Sequence, residues 1–582
     1  MRSSYKYIIL ILFVLMPGLL YSQSQDWVRK SIYPQADSGK SKIYNWMWGR
    51  HYRHLYTIPI RVPSATIETL GGGMDIVGQA ELLENKRKQL YLLKPLGGST
   101  SFLESKFFRE IYNKTDFKNT YLDEFLGDAY TIINPYTYLV ADYLAKSAGL
   151  SFSPSRIYYI PSHIRKDTVA DGSDIQDRLV NLINVPDINL RSNLYTTEDF
   201  LDSLQVSKNY MADQNLYIRE RIFDMWTGDW NKTNENWEWQ SHTVNDSVIY
   251  TPIVIDRNHA FTKVDGVLFK QMLKMLSLDF ICNYDSLILK DTKKINKLAF
   301  ALDMAVAGRS DESVWIRQAQ EIQRQMTDSL IDSAFTYLPE GVKHDEIELI
   351  KRKLKRRRLE LEAVASQYYR LLQRTPVVAG TNQSDYFLIE RQAPDRTVLR
   401  IYDPETGDCR LEQQFSGKET KELWLYGLAG NDTFEVKGNT RKDFPIYLIS
   451  GEGENQYQLN HNRKIHVYDK DYKYDYQKIK YHKISFTPWG IYDSDKGISL
   501  GTFFTYTMYG FKRAPFTYQH RIGYNYLKGF MYAGIFPNYD DRRRLYLNAS
   551  ISSPRNFENF FGFGNNTAGY KEEKKNYNRV KL

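Results

Sequence analysis

The sequence predicts a multidomain chain in which an α+β module is followed by a β-rich connector and the first strands of an antiparallel transmembrane β-barrel. Three observations carry this reading. The length, 582 residues, allows roughly three to four domains of ordinary size. Up to Pro376 stretches with strand spacing alternate with stretches at helical spacing, and after it the pattern turns to strands. The last hundred residues alternate apolar and polar side chains in a plain dyad, the pattern of a barrel wall.

Residues 1–22 read as a signal peptide. Arg2 and Lys6 precede an apolar run over 7–16, and Pro17 and the polar Gln23-Ser24-Gln25-Asp26 end it. An anchor would need about 20 apolar residues, so export with cleavage is expected, across a bacterial inner membrane. No cysteine follows the run, which excludes lipidation there. After residue 23 no long uncharged apolar stretch occurs, so only a β-barrel could span a bilayer.

The composition is rich in aromatic rings: 45 Tyr, 29 Phe and 10 Trp. Such rings suit surfaces that are apolar on one side and wet on the other, including sugar-binding faces, ligand clefts and barrel girdles. The net charge of +9 is a small excess of 78 basic over 69 acidic residues, and nucleic acid is not an expected partner. Two cysteines, Cys282 and Cys409, cannot build a disulfide framework or a cysteine-based zinc site. Whether they form one bridge is left open by the sequence.

Residues 23–375 are expected to form the α+β module. The stretch from Gly71 to Gly98 reads as two strands around a turn. A core helix is expected over Asn134–Leu150, with Asn-Pro at its start and Gly149 at its end. A second helix covers Tyr217–Met225 and leads into Gly228-Asp229-Trp230-Asn231-Lys232-Thr233; a strand at Val248–Ile255 follows. A single long helix is expected over 344–374, with Ile347, Ile350, Leu354, Leu361, Val364, Tyr368 and Leu371 as its apolar face. Its basic run, Lys351 to Arg358, reads as a solvated face, or as a docking patch for an anionic lipid or partner.

Residues 376–484 form the connector. Gly427, Gly430, Asp432 and Phe434 recur as Gly451, Gly453, Asn455 and Tyr457. This order is that of a calcium-binding nonapeptide, or of β-turn corners in a stack of sheets. From residue 485 onward, Ile498, Leu500, Phe504, Tyr506 and Met508 alternate with a side containing Ser499, Gly501, Thr505 and Thr507. Arg521–Tyr526 and Leu545–Ile551 repeat the pattern. Sixteen of the 45 tyrosines lie from Tyr468 onward, as an interfacial girdle would place them. A soluble sandwich is the alternative. Residues 485–582 supply four or five strands, whereas the smallest closed barrel has about 8, so the barrel is expected to be incomplete, in a partial chain or one whose strands oligomerise.

Kinase-type phosphoryl transfer needs a lysine on a strand to hold phosphate, a catalytic Asp with an Asn five residues on, and a second Asp after a strand for metal. The chain offers this order: Lys94 in YLLKPLGG, Asn231 and Asn236 in GDWNKTNENW, and Asp256 after YTPIVI. Asn236 and Asp256 would supply oxygen ligands to Mg²⁺, and Lys94 would neutralise the phosphates of ATP. A serine hydrolase is not expected, because no G-x-S-x-G elbow occurs; the ten histidines show no H-E-x-x-H. His51 and His54 in GRHYRH read as a structural turn or as a helical metal pair.

These blocks, with INPYTYLVADYLAKSAGL, LKRRRLELEAVASQYYRLL, ELWLYGLAGNDTFEVKG and FFGFGN, together resemble a family of exported outer-membrane proteins of Bacteroidota-type bacteria. In that family a kinase-like region, similar to the CotH and HipA kinases, precedes a BamA/TamA-like surface-antigen barrel, often behind a metallophosphoesterase. The resemblance runs from about Gly49 to the end. It implies an α+β kinase-like periplasmic module, a partial antiparallel barrel, and residence in the periplasm and outer membrane. Outer-membrane lipid and an unidentified protein or envelope ligand are the implied partners. No metallophosphoesterase motif is present, so that activity does not carry over. The family's G-D-W-D-R-H is replaced by Gly228-Asp229-Trp230-Asn231-Lys232-Thr233, and Asn258 stands at a second acidic position. An amide at 231 forfeits general-base help worth a factor of about 10²–10⁴. Asp229 is the carboxylate left to act as base. Three readings follow: an impaired kinase-like module acting in binding, assembly or transport at the outer membrane; an active phosphotransferase or nucleotidyltransferase; and a structural scaffold for the barrel. The first is expected, because exported space generally lacks ATP.

Overall fold

The computed structural model describes residues 26–33, 40–65, 72–77, 80–84, 90–96, 127–152, 154–163, 176–185, 193–255, 257–275, 278–342, 345–439, 443–459, 464–469, 474–476, 482–493, 497–509, 516–537, 544–553, 558–560 and 575–577. The expected signal peptide and Asp256 lie outside them.

The chain opens with β1 (Trp27–Lys30), α1 (Lys42–Trp48), α2 (Arg53–Thr57) and β2 (Ile60–Pro63), where β2 pairs with β1. Next come β3 (Gly72–Val77), β4 (Ala80–Glu84) and β5 (Leu90–Pro95), three antiparallel strands where the sequence suggested two. The extra turn falls between Val77 and Ala80, a break too short to register as a boundary in the pattern. After α3 (Tyr138–Ser147), strands β6 (Ser155–Ile160) and β7 (Arg178–Val185) complete a five-stranded antiparallel sheet in the order β3-β4-β5-β7-β6. The α3 helix starts later than expected because the Asn134 side chain accepts from the Tyr136 N–H, closing a local turn before the helix begins. Gly149, at φ +65°, follows its C-terminus.

A second sheet, β8-β10-β11-β9, is built from β8 (Leu194–Tyr195), β9 (Tyr210–Ala212), β10 (Trp237–Val244) and β11 (Ser247–Val254). Between these strands run α4 (Thr197–Val206) and α5 (Gln214–Thr227). α5 is buried on nearly all sides. It is covered by α6 (Val267–Met275), α7 (Thr292–Ile295), α8 (Phe300–Ala307), α9 (Glu312–Gln325), α10 (Asp328–Ala334), α11 (Asp345–Arg358) and α12 (Leu361–Leu372), of which α8, α9, α11 and α12 touch it directly. The single helix expected over 344–374 is therefore two. At the break Leu359 and Glu360 turn with i→i+3 bonds, and the Glu360 carboxylate accepts the Ile288 N–H at 3.1 Å, tying the break to that segment. The expected apolar face is buried, with Leu371 only partly covered. The basic run is not uniformly solvated: Arg357 is buried, stacks on Tyr284 and donates to the Met225 and Asp285 carbonyls, while Lys353 donates to the Tyr284 carbonyl.

From β12 (Val377–Ala379) the chain winds into two facing sheets. β13 (Tyr386–Gln392), β14 (Arg396–Tyr402) and β15 (Cys409–Ser416) form an antiparallel meander; β16 (Leu423–Tyr426), β17 (Thr433–Gly438), β18 (Ile446–Ile449), β19 (Gln456–Leu459) and β20 (Ile465–Tyr468) then alternate between the sheets. One sheet is wholly parallel, β12-β16-β18-β20; in the other, β13, β17 and β19 pair in parallel. Successive strand pairs thus stack as rungs. The glycine repeat forms the corners between the sheets. Asp432 Oδ1 accepts the Asp385 N–H at 2.8 Å, and Asn455 Oδ1 accepts the Asp432 N–H at 3.0 Å, a ladder one rung apart. Phe387, Phe434 and Tyr457 stack beside it, with centroids 4.6 and 5.7 Å apart. Asp432 Oδ1 and Asn455 Oδ1 are spent on this ladder, while Asp432 Oδ2 is buried without a hydrogen-bond partner among the described residues; no group of three or more metal-ligating side chains occurs there. Cys282 and Cys409 are free thiols.

The last large element is an antiparallel sheet of β21 (His482–Asp493), β22 (Gly497–Met508), β23 (Tyr518–Asn525), β24 (Gly529–Pro537) and β25 (Arg544–Ile551) in sequence order. A short pair, β26 (Glu558–Phe560) and β27 (Lys575–Tyr577), lies apart from it. The sheet is open, and no closed barrel forms among the described residues. No helix there is long and apolar enough to cross a membrane.

Candidate functional site

The described residues of the expected phosphotransfer order fall on two elements of the first module. Lys94 lies on β5 opposite Asn181 of β7. Asp229, Asn231, Lys232 and Asn236 lie together on the loop after α5. Gly228 lets the chain leave that helix at φ +76°, and a Cβ there would come within 2.8 Å of the Tyr284 ring.

The loop is held by its own polar groups. Trp230 Nε1 donates to Thr262 Oγ1 at 2.9 Å, and its ring meets His259 edge-on. Asn231 Nδ2 lies 3.4 Å from His259 Nδ1. Asn236 Oδ1 accepts both the Thr233 N–H at 2.8 Å and the Thr233 hydroxyl at 2.9 Å, so both lone pairs of that oxygen cap a turn. In this arrangement Asn236 does not fit a metal ligand. Ile255, just before Asp256, donates to the Asn236 carbonyl at 3.0 Å and ties the strand end to the loop.

Asp229 is buried and its Oδ2 accepts from Lys232 Nζ at 2.6 Å; the same ammonium lies 3.5 Å from Asp224 Oδ1. Burial pulls the Lys232 pKa down, but Asp224 and Asp229 together outweigh it and hold the ammonium charged. Asp229 is thus half of a buried ion pair, and a carboxylate tied to an ammonium is poor equipment for a general base.

The surrounding charges were not legible as a site. Arg221 Nε donates to Asp303 Oδ1 at 2.8 Å, Nη1 to Asp224 Oδ2 at 2.8 Å and Nη2 to Asn296 Oδ1 at 2.7 Å, and Asp303 also accepts from the Tyr217 and Tyr368 hydroxyls. Glu220, one residue earlier, accepts from Arg257 Nη2 at 2.7 Å and from Ser151; burial pushes its carboxyl up against the pull of Arg257. The available signal was the absence of a polar face on α5. Tyr217, Ile218, Ile222, Phe223, Met225 and Trp226 cover the helix all round, so Glu220, Arg221 and Asp224 had to be buried and paired. His51, for its part, is buried at φ +50° and pairs through Nδ1 with Asp265 Oδ1 at 2.9 Å, as a turn residue does.

No known protein family matches the sequence, and no curated protein matches it. Among solved structures the chain has weak similarity to kinase-like folds over about half its length. One is the proinflammatory kinase CtkA of Helicobacter pylori, at 11% identity and a TM-score of 0.25, covering 53% of this chain and 99% of that one. Another is the HipA, HipB and operator DNA complex of a Shewanella oneidensis MR-1 toxin–antitoxin system, at 8% identity and a TM-score of 0.23, covering 52% of this chain and 70% of that one.

Proposed function

We propose that this chain is an outer-membrane-associated protein whose kinase-like module is catalytically impaired and serves binding or assembly at the membrane. The observation that supports it is the inverted burial of the β21–β25 sheet. On β22, Ile498 and Leu500 are 72% and 68% exposed, while Ser499, Thr505 and Thr507 are 3–6% exposed. The exposed face continues across the register through Phe504, Ile522, Tyr524, Phe530 and Ile551. On the other face Ser499 donates to the buried Asn525, and Gln519 donates to Thr507. In water such an apolar face would be an aggregation hazard, whereas in a bilayer it is the lipid side of a barrel wall. A wall in lipid needs its edges paired, so β21 and β25 are where further strands would add.

The impaired reading is supported by Asn231 at the expected base and by the Lys232 contact that occupies Asp229. Lys94 would hold phosphate if nucleotide bound. The test is fractionation of the full chain from its host after an alkaline carbonate wash. Sedimentation with outer-membrane lipid is expected, and release on Leu500→Asp with Ile522→Asp. A chain that is carbonate-soluble and monodisperse without detergent would overturn the membrane role. Labelled ATP should show no turnover, and measurable phosphotransfer would overturn the impaired module.

A further inference from the structure

The module carries an apolar patch that the sheet does not explain. α1 exposes Ile43 and Trp46, at 68% and 63%, and α6 exposes Val267, Leu268 and Met275. The two helices are clasped at one end. A Cβ on Gly266 would lie 2.3 Å from the Trp48 carbonyl carbon, and one on Gly49 would lie 2.5 Å from Asp265 Oδ1, so only glycine permits the approach. Asp265 closes the clasp by accepting the His51 N–H at 3.0 Å; the His51 ring packs on Phe269, on the buried side of α6. The patch is therefore a rigid surface of two helices with large apolar side chains turned outward.

Its charge is one-sided. Neither α1 (KIYNWMW) nor α6 (VLFKQMLKM) contains an acidic residue, and Lys42, Lys270 and Lys274 are exposed among the apolar side chains. The nearby acids are matched by cations: Asp265 is engaged by His51 and lies 3.7 Å from Lys263 Nζ, and Asp128, which accepts from the Tyr44 hydroxyl of α1, lies 3.6 Å from Lys40 Nζ and 3.4 Å from Arg53 Nε. Trp, Ile, Leu and Met mixed with lysine, without acid, is the composition of a helix that lies in an anionic bilayer surface. Position agrees: α6 touches β21, the first strand of the sheet with the exposed apolar face. The module thus meets the sheet through one of the two helices that carry the patch.

We propose that the α1–α6 clasp is a membrane-interface foot, which seats the module on the anionic headgroups of the leaflet beside the sheet. This rests on the membrane reading of the β21–β25 sheet. The foot fixes the module's height and tilt on the bilayer, with Trp46 and Leu268 at the headgroup boundary and the lysines on anionic phosphates.

The test uses the full chain reconstituted in vesicles of phosphatidylethanolamine and phosphatidylglycerol that carry a carbene-generating phosphatidylglycerol, followed by peptide mapping. Labelling is expected on peptides spanning 42–48 and 267–275 as well as on β21–β25. Lys270→Glu with Lys274→Glu should lower labelling of the foot roughly 25-fold or more, about fivefold for each lysine taken from an anionic surface, and leave that of the sheet unchanged. Trp46→Glu should likewise lower labelling of the foot and spare the sheet. A labelled sheet with an unlabelled foot overturns the foot and spares the membrane reading, and an unlabelled sheet overturns both. Patch residues shielded from aqueous reagents yet unlabelled by lipid would mean a protein partner, which also overturns the foot. Foot labelling that ignores all three substitutions overturns it as well.

Discussion

Arg221 is the point at which the first module should be most fragile. Its guanidinium is fully buried and divided among Asp303, Asp224 and Asn296 at 2.7–2.8 Å. Arg221→Met keeps most of the volume and removes the cation. Asp303 would then keep two tyrosine hydroxyls but no positive partner in contact, and Asp224 would keep Lys232 at 3.5 Å and the charge of Arg257. Breaking a buried pair by removing one partner typically costs ~3–5 kcal/mol, because the orphaned carboxylate stays out of water. If that is the mechanism, neutralising the orphan should help. Asp303→Asn added to Arg221→Met should recover ~1–2 kcal/mol while still accepting from a tyrosine hydroxyl, a coupling that independent sites would not show. The assay is denaturant unfolding followed by tryptophan emission, since Trp226, Trp237 and Trp239 lie in the same core, with amide exchange on α5, α8 and α12 to localise the change. A loss below ~1 kcal/mol for Arg221→Met, or strict additivity in the double variant, would refute the reasoning.

The stacked rungs make two further predictions. Burial, with the charge of Asp385 added, pushes the Asp432 carboxyl from 3.8 up to about 7 against the Asp385 N–H that it accepts. A raised carboxyl favours the folded state when protonated, so its contribution is complete below the unfolded value near 4 and is lost as pH rises through about 7. Asp432→Asn should flatten that dependence and stabilise the rungs at alkaline pH by up to ~4 kcal/mol, read from melting across a pH series; an unchanged slope would count against it. Phe434→Ala removes the middle ring of the Phe387–Phe434–Tyr457 stack and should cost ~3–5 kcal/mol; proteolysis at the corners is the readout, and wild-type resistance would contradict the stack.

Much of the architecture is written in local pattern. Period two on β22 gave the strand and both its faces, because side chains alternate whatever the solvent. The same pattern does not say which face is buried, and only the packed chain places Ser499 and Thr505 inside with Leu500 outside. The rung corners were half legible. The sequence pattern aligns Gly427 with Gly451, but Tyr426 pairs with Ile449, so Gly427 stands opposite Ser450, as Asp432 and Phe434 stand opposite Asn455 and Tyr457; Gly380, Asp385 and Phe387 keep that same spacing in an earlier rung. That copy lacks the second glycine. Gly430 is needed because a Cβ would meet Gln383 at 2.7 Å, and Gly453 because one would meet the Gly430 carbonyl at 1.8 Å; in the first rung Gln383 stands at that position. The candidate phosphotransfer residues were found by order along the chain, which carries no information about hydrogen bonding. Lys232, three residues after Asp229, is what turns that carboxylate into half of a buried ion pair, and Thr233 is what occupies Asn236. The helix break at Leu359–Glu360 is hidden in the sequence because both segments share one apolar stripe, and the Ile288 N–H that the Glu360 carboxylate meets there lies 72 residues away.

The central claim is that the exposed face of β22 meets lipid. It is tested most directly by placing single cysteines along Ile498–Met508 in a Cys282→Ser, Cys409→Ser background of the full chain in vesicles and measuring spin-label accessibility to oxygen and to a water-soluble relaxation agent. The account predicts a period-two oscillation, with positions 498, 500 and 504 open to oxygen and closed to the aqueous agent, and positions 499, 505 and 507 without that lipid signature. Oxygen access without alternation, or exposed-face positions open to the aqueous agent, would contradict it.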